Sequence, residues 1–417
     1  GHSLVIRLFL GIMAEIPLEY LALYMAGERI AFGVCDLILR PRFNSSYQLY
    51  RWGLIGMFIK IISDFLLIPT FLLLSDSEVM FGYFIAFSGI LMGAGQSLTH
   101  QTFDLFYLKN LKNYIESMRK VSHFAHIKNK DNILTLYAGV QLFLFMAGLG
   151  IAYFLYYFHE PTLILILPIL FNVLFIFLVS SDASKLKPFF ESNLKDISQP
   201  PKKFSVWRTH LALINSLSML GIVPSCYFLV ISLFHSEAIK MQFDVWVVLI
   251  LFTLGYEFAG SLLVEYFARL FRHSHKLVMT VFAILLLAVS LFFARFQMEE
   301  FDILPWGLSY LLFLFYPLVM SVCLKMIGHL SLRQINQFGG KSLGEKIHNV
   351  TVSTVPGNLA IGAYCLWILL RHDGLPSISS ALDFSLYIAM GISFFVTLYW
   401  FLVTPEEQEK LEVPHVE

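Results

Sequence analysis

Two acids, Glu15 and Glu257, each lie near the middle of a long apolar run. A charge held at the centre of a bilayer costs about 2.5–3.5 kcal/mol on insertion scales, so an acid kept there needs a partner or a task. Two tasks are open to it: reversible binding of a proton, or contact with a cationic group of a solute. The structural alternative is a hydrogen bond to a neighbouring helix. Glu19 follows Glu15 by one helical turn. Gln96, His100 and Asp104 recur every four residues, which on a helix makes one polar stripe. Histidine titrates nearest neutrality, so the stripe reads as a proton relay or a gate, or simply as the point where a helix leaves the apolar layer. Lys60 and Asp64 share a helical face and can neutralise each other, which suits an ion pair in a supporting helix. Glu265 and Lys325 sit near the ends of apolar runs, where they form a gate or snorkel to the interface. Among uncharged groups, Gln141, Asn215, Tyr227 and Asn358 can hydrogen-bond a polar solute or tie two helices together. Pro356 and Gly357 loosen the backbone beside Asn358, and Pro224 and Pro317 can bend their helices.

The elements that must position these groups are apolar segments at 4–25, 52–74, 79–104, 133–157, 162–180, 209–234, 244–268, 277–296, 305–324, 349–370 and 384–403. At about 1.5 Å of rise per residue, segments of this size cross a hydrocarbon layer roughly 30 Å thick. The loops 26–51, 105–132, 181–208, 269–276 and 325–348, with the tail from 404, hold 24 of the 29 Lys and Arg residues. The alternate loops hold 3, and Arg7 and Lys60 lie inside apolar runs. Basic loops face the cytoplasm, so residue 1 is expected outside and Glu417 inside. A chain that is 57% hydrophobic and 14% charged is no ordinary soluble domain, and none of its loops has room for a soluble catalytic domain. Four cysteines without paired spacing read as small buried hydrophobes.

The stretch 181–208, with Lys185, Lys187, Pro188, Pro200 and Pro201, divides five spans from six. The tail of each half repeats: a glycine-containing span, a long basic loop, a span, an outer turn and a last span. The head of each half also matches, since 4–25 with Glu15 corresponds to 244–268 with Glu257. Parallel repeats of this kind mark one transporter architecture. Expected domains are therefore an N-terminal bundle at 1–180, a cytoplasmic linker at 181–208, a six-helix bundle at 209–403 and a tail at 404–417. The first half is one span short at its start. That span would precede residue 1, and Gly1-His2-Ser3 has the look of a cloning remnant.

In this arrangement the chain resembles the major facilitator superfamily over essentially its whole length. Glu15-Ile16-Pro17-Leu18-Glu19 resembles the second helix of some members. The loop signature Gly-x-x-x-Asp-Arg-x-Gly-Arg-Arg is present only loosely, as Gly27-Glu28-Arg29, Gly33, Asp36 and Arg40-Pro41-Arg42. Glu265-Tyr266-Phe267-Ala268-Arg269 with Arg272 and Lys276 is its second-half counterpart, and Gly93-Ala94-Gly95 suits the fourth family helix. The resemblance implies an all-α polytopic membrane protein of two pseudo-symmetric bundles, five plus six spans here and six plus six in the family. It implies a solute path lined by 4–25, 79–104, 133–157, 209–234, 244–268, 305–324 and 349–370.

There is no phosphate-binding Gly-x-x-x-x-Gly-Lys-Ser/Thr loop, no His-Glu-x-x-His and no Cys/His cluster at metal-ligand spacing. No cofactor or nucleic-acid partner is expected. The expected function is secondary active transport of a small organic solute, including an amphipathic or lipid-like one, coupled to protons, by a monomer in an inner or plasma membrane. The competing reading is a membrane-embedded acyl or glycosyl transferase, which would need a reactive histidine such as His100. A non-transporting sensor or scaffold is the third.

Overall fold

The computed structural model describes residues 18–39, 46–73, 78–99, 161–181, 275–295, 343–370 and 378–402, with residues 317–323 and scattered positions between them. Every described segment is helical. The long helices are α1 (Leu18–Leu39), α2 (Ser46–Leu73), α3 (Glu78–Thr99), α4 (Pro161–Ser181), α5 (His275–Arg295), α6 (Leu343–Leu370) and α7 (Ile378–Leu402). The all-α expectation holds for these residues. Pro161 opens α4, where its fixed φ fits and its missing N–H is not needed. Pro69, Pro168 and Pro356 lie inside helices.

Several helices start about six residues before the hydropathy runs, and the end of α1 departs from them most. The run ending at residue 25 was expected to give way to a basic loop, yet α1 continues to Leu39. The extension carries Glu28, Arg29 and Asp36, which lower its hydropathy. It stays helical because packing against α3 decides the matter, not apolar composition.

The stretches Arg51–Leu72 of α2 and Val79–Thr99 of α3 are long and apolar enough to cross a membrane. At about 1.5 Å per residue the first spans roughly 33 Å, matching the hydrocarbon thickness. Their exposed faces are largely apolar, unlike those of a soluble helix. On α2 the exposed side presents Ile55, Phe58, Ile62, Phe65 and Leu72, while Ser63, Asp64 and Thr70 are buried. On α3 Met80, Tyr83, Phe87 and Ile90 are exposed, while Ser88, Ser97 and Thr99 are buried. The buried sides also hold Met57, Leu67, Phe81, Ile85, Met92 and Leu98, so it is the apolar exposed faces that suit surroundings of lipid.

The chain separates into two compact units. One comprises residues 1–202, 341–351 and 362–370; the other comprises 203–340, 352–361 and 371–417. In the first unit α3 packs extensively on both α1 and α2, and α2 also packs on α4. Gly362 of this unit meets Ile30 of α1 so closely that a Cβ there would lie 2.5 Å from its Cγ1. In the second unit α5 packs on α7; Phe282, Ala283 and Leu286 of α5 and Ala389, Ser393 and Val396 of α7 are buried, and Phe282 meets Phe267 edge-on. Among the described residues Cys35, Cys323 and Cys365 form no disulfide, and the last two are buried.

Candidate functional site: a buried polar seam in the first unit

The α2–α3 contact follows from a seven-residue repeat. Gly56 and Ser63 on α2 meet Gly95 and Ser88 on α3, and Phe71 meets Phe81, so the helices run antiparallel. At one end a Cβ on Gly56 would sit 2.8 Å from the Gly95 carbonyl oxygen, and one on Gly95 would sit 2.7 Å from that of Gly56. In the middle, the Ser63 hydroxyl donates to the Ser88 carbonyl at 2.9 Å. The Ser88 hydroxyl returns the bond to the Ser63 carbonyl at 3.1 Å. At the other end Phe81 meets Phe71 edge-on, with centroids 5.4 Å apart, and Tyr20 of α1 in the same way at 5.2 Å.

The α1–α3 contact runs parallel and is closer still. A Cβ on Gly89 would overlap the backbone of Tyr24, and one on Gly93 the backbone of Glu28. Gly27 of α1 reciprocates against the Ala86 carbonyl. Small residues at four-residue spacing, here Gly89, Gly93 and Ser97, let the two helices approach backbone to backbone. Beyond the glycines the Ser97 hydroxyl donates to Oδ1 of Asp36.

These contacts put ionisable groups inside the helix bundle. Glu28, Asp36 and Asp64 are all at 0% exposure, with Lys60 and Arg29 half-buried nearby in sequence. Each of the five is engaged in further interactions. Burying a carboxylate is costly unless it is hydrogen-bonded or neutralised, so three of them in one packed unit is a dear arrangement for mere architecture. Such groups can hold or release a proton within the bundle, or fix the helices that do. Among the described residues no group of His, Cys, Asp and Glu is disposed to hold a metal ion.

The expected site residues fare unevenly. Asp64 is wholly buried, and Lys60 lies against Gly95, so this pair faces the protein interior and not the exposed side of α2. Gln96 is half-buried on α3, one residue from Ser97. Glu19 is half-buried in the first turn of α1. Asn358 is buried, and its amide donates to the Thr354 carbonyl of its own helix at 2.9 Å. That bond sits beside Pro356, where the regular backbone ladder lacks a donor. Glu15, His100, Asp104, Gln141, Asn215, Tyr227, Glu257, Glu265 and Lys325 lie outside the described residues.

Sequence reading missed the burial of Glu28 and Asp36, having placed them in a loop. The signal was present: Tyr20, Tyr24 and Glu28 recur every fourth residue, and the glycines of α3 stand opposite them. Ser63 and Ser88 carried no signal singly, since a serine in an apolar run is common. A scan against models of known protein families finds no match, and a search of curated proteins finds none either.

Proposed function

We propose that this chain is a multi-pass secondary transporter that moves a small organic solute by alternating access, coupled to protons. The observation that carries the reading is the burial of Glu28, Asp36 and Asp64 within helices whose outer faces are apolar. A lipid-embedded bundle has little reason to keep carboxylates at its centre unless they bind something. The one-sided distribution of Lys and Arg supports several crossings, with the C-terminus in the cytoplasm. The resemblance to the major facilitator superfamily supports a second, related bundle around residues 209–403 and a shared path lined in part by Glu15 and Glu257. Amphipathic and lipid-like solutes belong to the same reading, because the chain's 41 phenylalanines would suit a greasy path.

The test is reconstitution. The full chain in proteoliposomes is presented with a pool of small metabolites and, separately, with labelled lysolipids, at an acidic and a neutral external pH. Accumulation of one solute class that grows with an inward proton gradient, and loses that dependence in Glu15→Gln or Asp36→Asn, is the expected result. Vesicles that accumulate nothing from either pool under any gradient, although the protein is folded and inserted, would sink the proposal.

A further inference from the structure

We infer that α3 is a coupling spine, so that α1, α2 and α3 open and close as one cooperative unit and a disturbance on the α1 side is felt in full on the α2 side. The inference stands apart from the transport reading.

Its ground is the way α3 is held. Both of its packed faces are pinned at three levels along its length. At the Glu78 end, Phe81 is clasped by Tyr20 of α1 and Phe71 of α2 together. At mid-length, Gly89 lies on the Tyr24 backbone of α1, while Ser88, the next residue, exchanges hydrogen bonds with Ser63 of α2. At the Thr99 end, Gly93 and Ser97 meet Glu28 and Asp36, while Gly95 between them meets Gly56. A single residue, or residues at most two apart, of this one helix thus serve opposite partners at each level. No rotation of α3 relieves one seam without breaking the other.

Sliding is blocked as well. A shift of α3 by one turn along α1 in one direction puts Ile85 where Gly89 lies on the Tyr24 backbone. The opposite shift puts Ser97 where Gly93 lies on Glu28. Either places a side chain in space that holds no Cβ. The same shift separates Ser63 from Ser88 by a full turn, roughly 5 Å, and leaves both hydroxyls without their carbonyls. Close-packed interfaces of this kind have discrete arrangements and do not deform by degrees. The extensive packing of α1 and of α2 is in each case with α3, so coupling between those two helices has a physical route through the spine.

The experiment is hydrogen exchange on the full chain in detergent and in nanodiscs, comparing the parent with Ser97→Ala. That change removes the bond to Asp36, whose partner side chain belongs to α1 and not to α2. Loss of one hydrogen bond to a charged group predicts exchange faster by about tenfold or more. The expected result is acceleration by the same factor in α1 amides 24–36 and in α2 amides 56–67, which share no bond with residue 97. Acceleration confined to α1 and the end of α3, with α2 amides unchanged, overturns the inference. Gly93→Ala is a stronger second probe, and Ser63→Ala is the reverse one: read from the α2 side, it must quicken α1.

Discussion

Gly93→Ala tests the packing argument with an outcome that helix propensity alone predicts to go the other way. In a helix interior alanine is favoured over glycine by about 1 kcal/mol, so the substitution should stabilise α3 unless the site forbids it. At Gly93 the new methyl would overlap the carbonyl oxygen, carbonyl carbon and Cα of Glu28. These are backbone atoms, with no rotamer to yield, so α1 and α3 must part by roughly 1 Å. A gap of that size forfeits about a quarter to a half of each dispersion contact across the seam. Overpacking costs about 1–3 kcal/mol, and a backbone clash belongs at the upper end. Setting about 3 kcal/mol of strain against about 1 of propensity leaves Gly93→Ala destabilised by about 2 kcal/mol. Gly391 of α7 is the control, because it is exposed and an added Cβ meets nothing within 4 Å. There the propensity term acts alone and alanine should stabilise by up to about 1 kcal/mol. Unfolding by sodium dodecyl sulfate titration in micelles reads both on one scale. If Gly93→Ala is as stable as the parent, or Gly391→Ala is equally damaged, the close approach of α1 and α3 is wrong.

Three further outcomes follow from the same contacts. Phe65→Lys places a charge on the exposed side of α2: in lipid this costs about 2.5–3.5 kcal/mol and should deplete the protein from the membrane fraction, whereas at a water-exposed site it would stay within about 0.5 kcal/mol. Asp64→Leu should be rescued by about 1 kcal/mol or more when Lys60→Met is added, because the double change removes a charge that the single change strands; a double variant no better than Asp64→Leu refutes interior pairing of the two. Replacing both Ser63 and Ser88 by Ala should cost about 1–2 kcal/mol in the same titration, and a cost near zero would mean that the reciprocal bonds are not made.

Legibility in the sequence followed the strength of the physical signal. The helices α2 and α3 were readable because each holds a run of twenty or so mainly apolar residues, long enough to cross a membrane as a helix bonded within itself. The far end of α1 was not readable from hydropathy: Glu28, Arg29 and Asp36 look like a loop until α3 is brought alongside. Only then do Gly89, Gly93 and Ser97 explain how an acid-bearing helix can be buried. The interior placement of Asp64 was half-readable, since its spacing from Lys60 fixed a shared face but not which way that face looks. Periodicity reports which residues share a face; it is silent on what the face meets.

The same limit bears on the function. Acids in apolar runs announce themselves through insertion cost, which is why Glu15 and Glu257 stand out in the sequence. An acid at the polar end of a run announces nothing, because in isolation it could remain in water. Asp36 is of this second kind, and the Ser97 hydroxyl together with the glycine seam is what removes it from water. Its burial is therefore a property of the α1–α3 interface and not of its own segment. It follows that Ser97→Ala should weaken any proton-linked property of Asp36 as well as the seam. A loss of both together would tie coupling to packing, and a loss of stability alone would confine Asp36 to holding the helices.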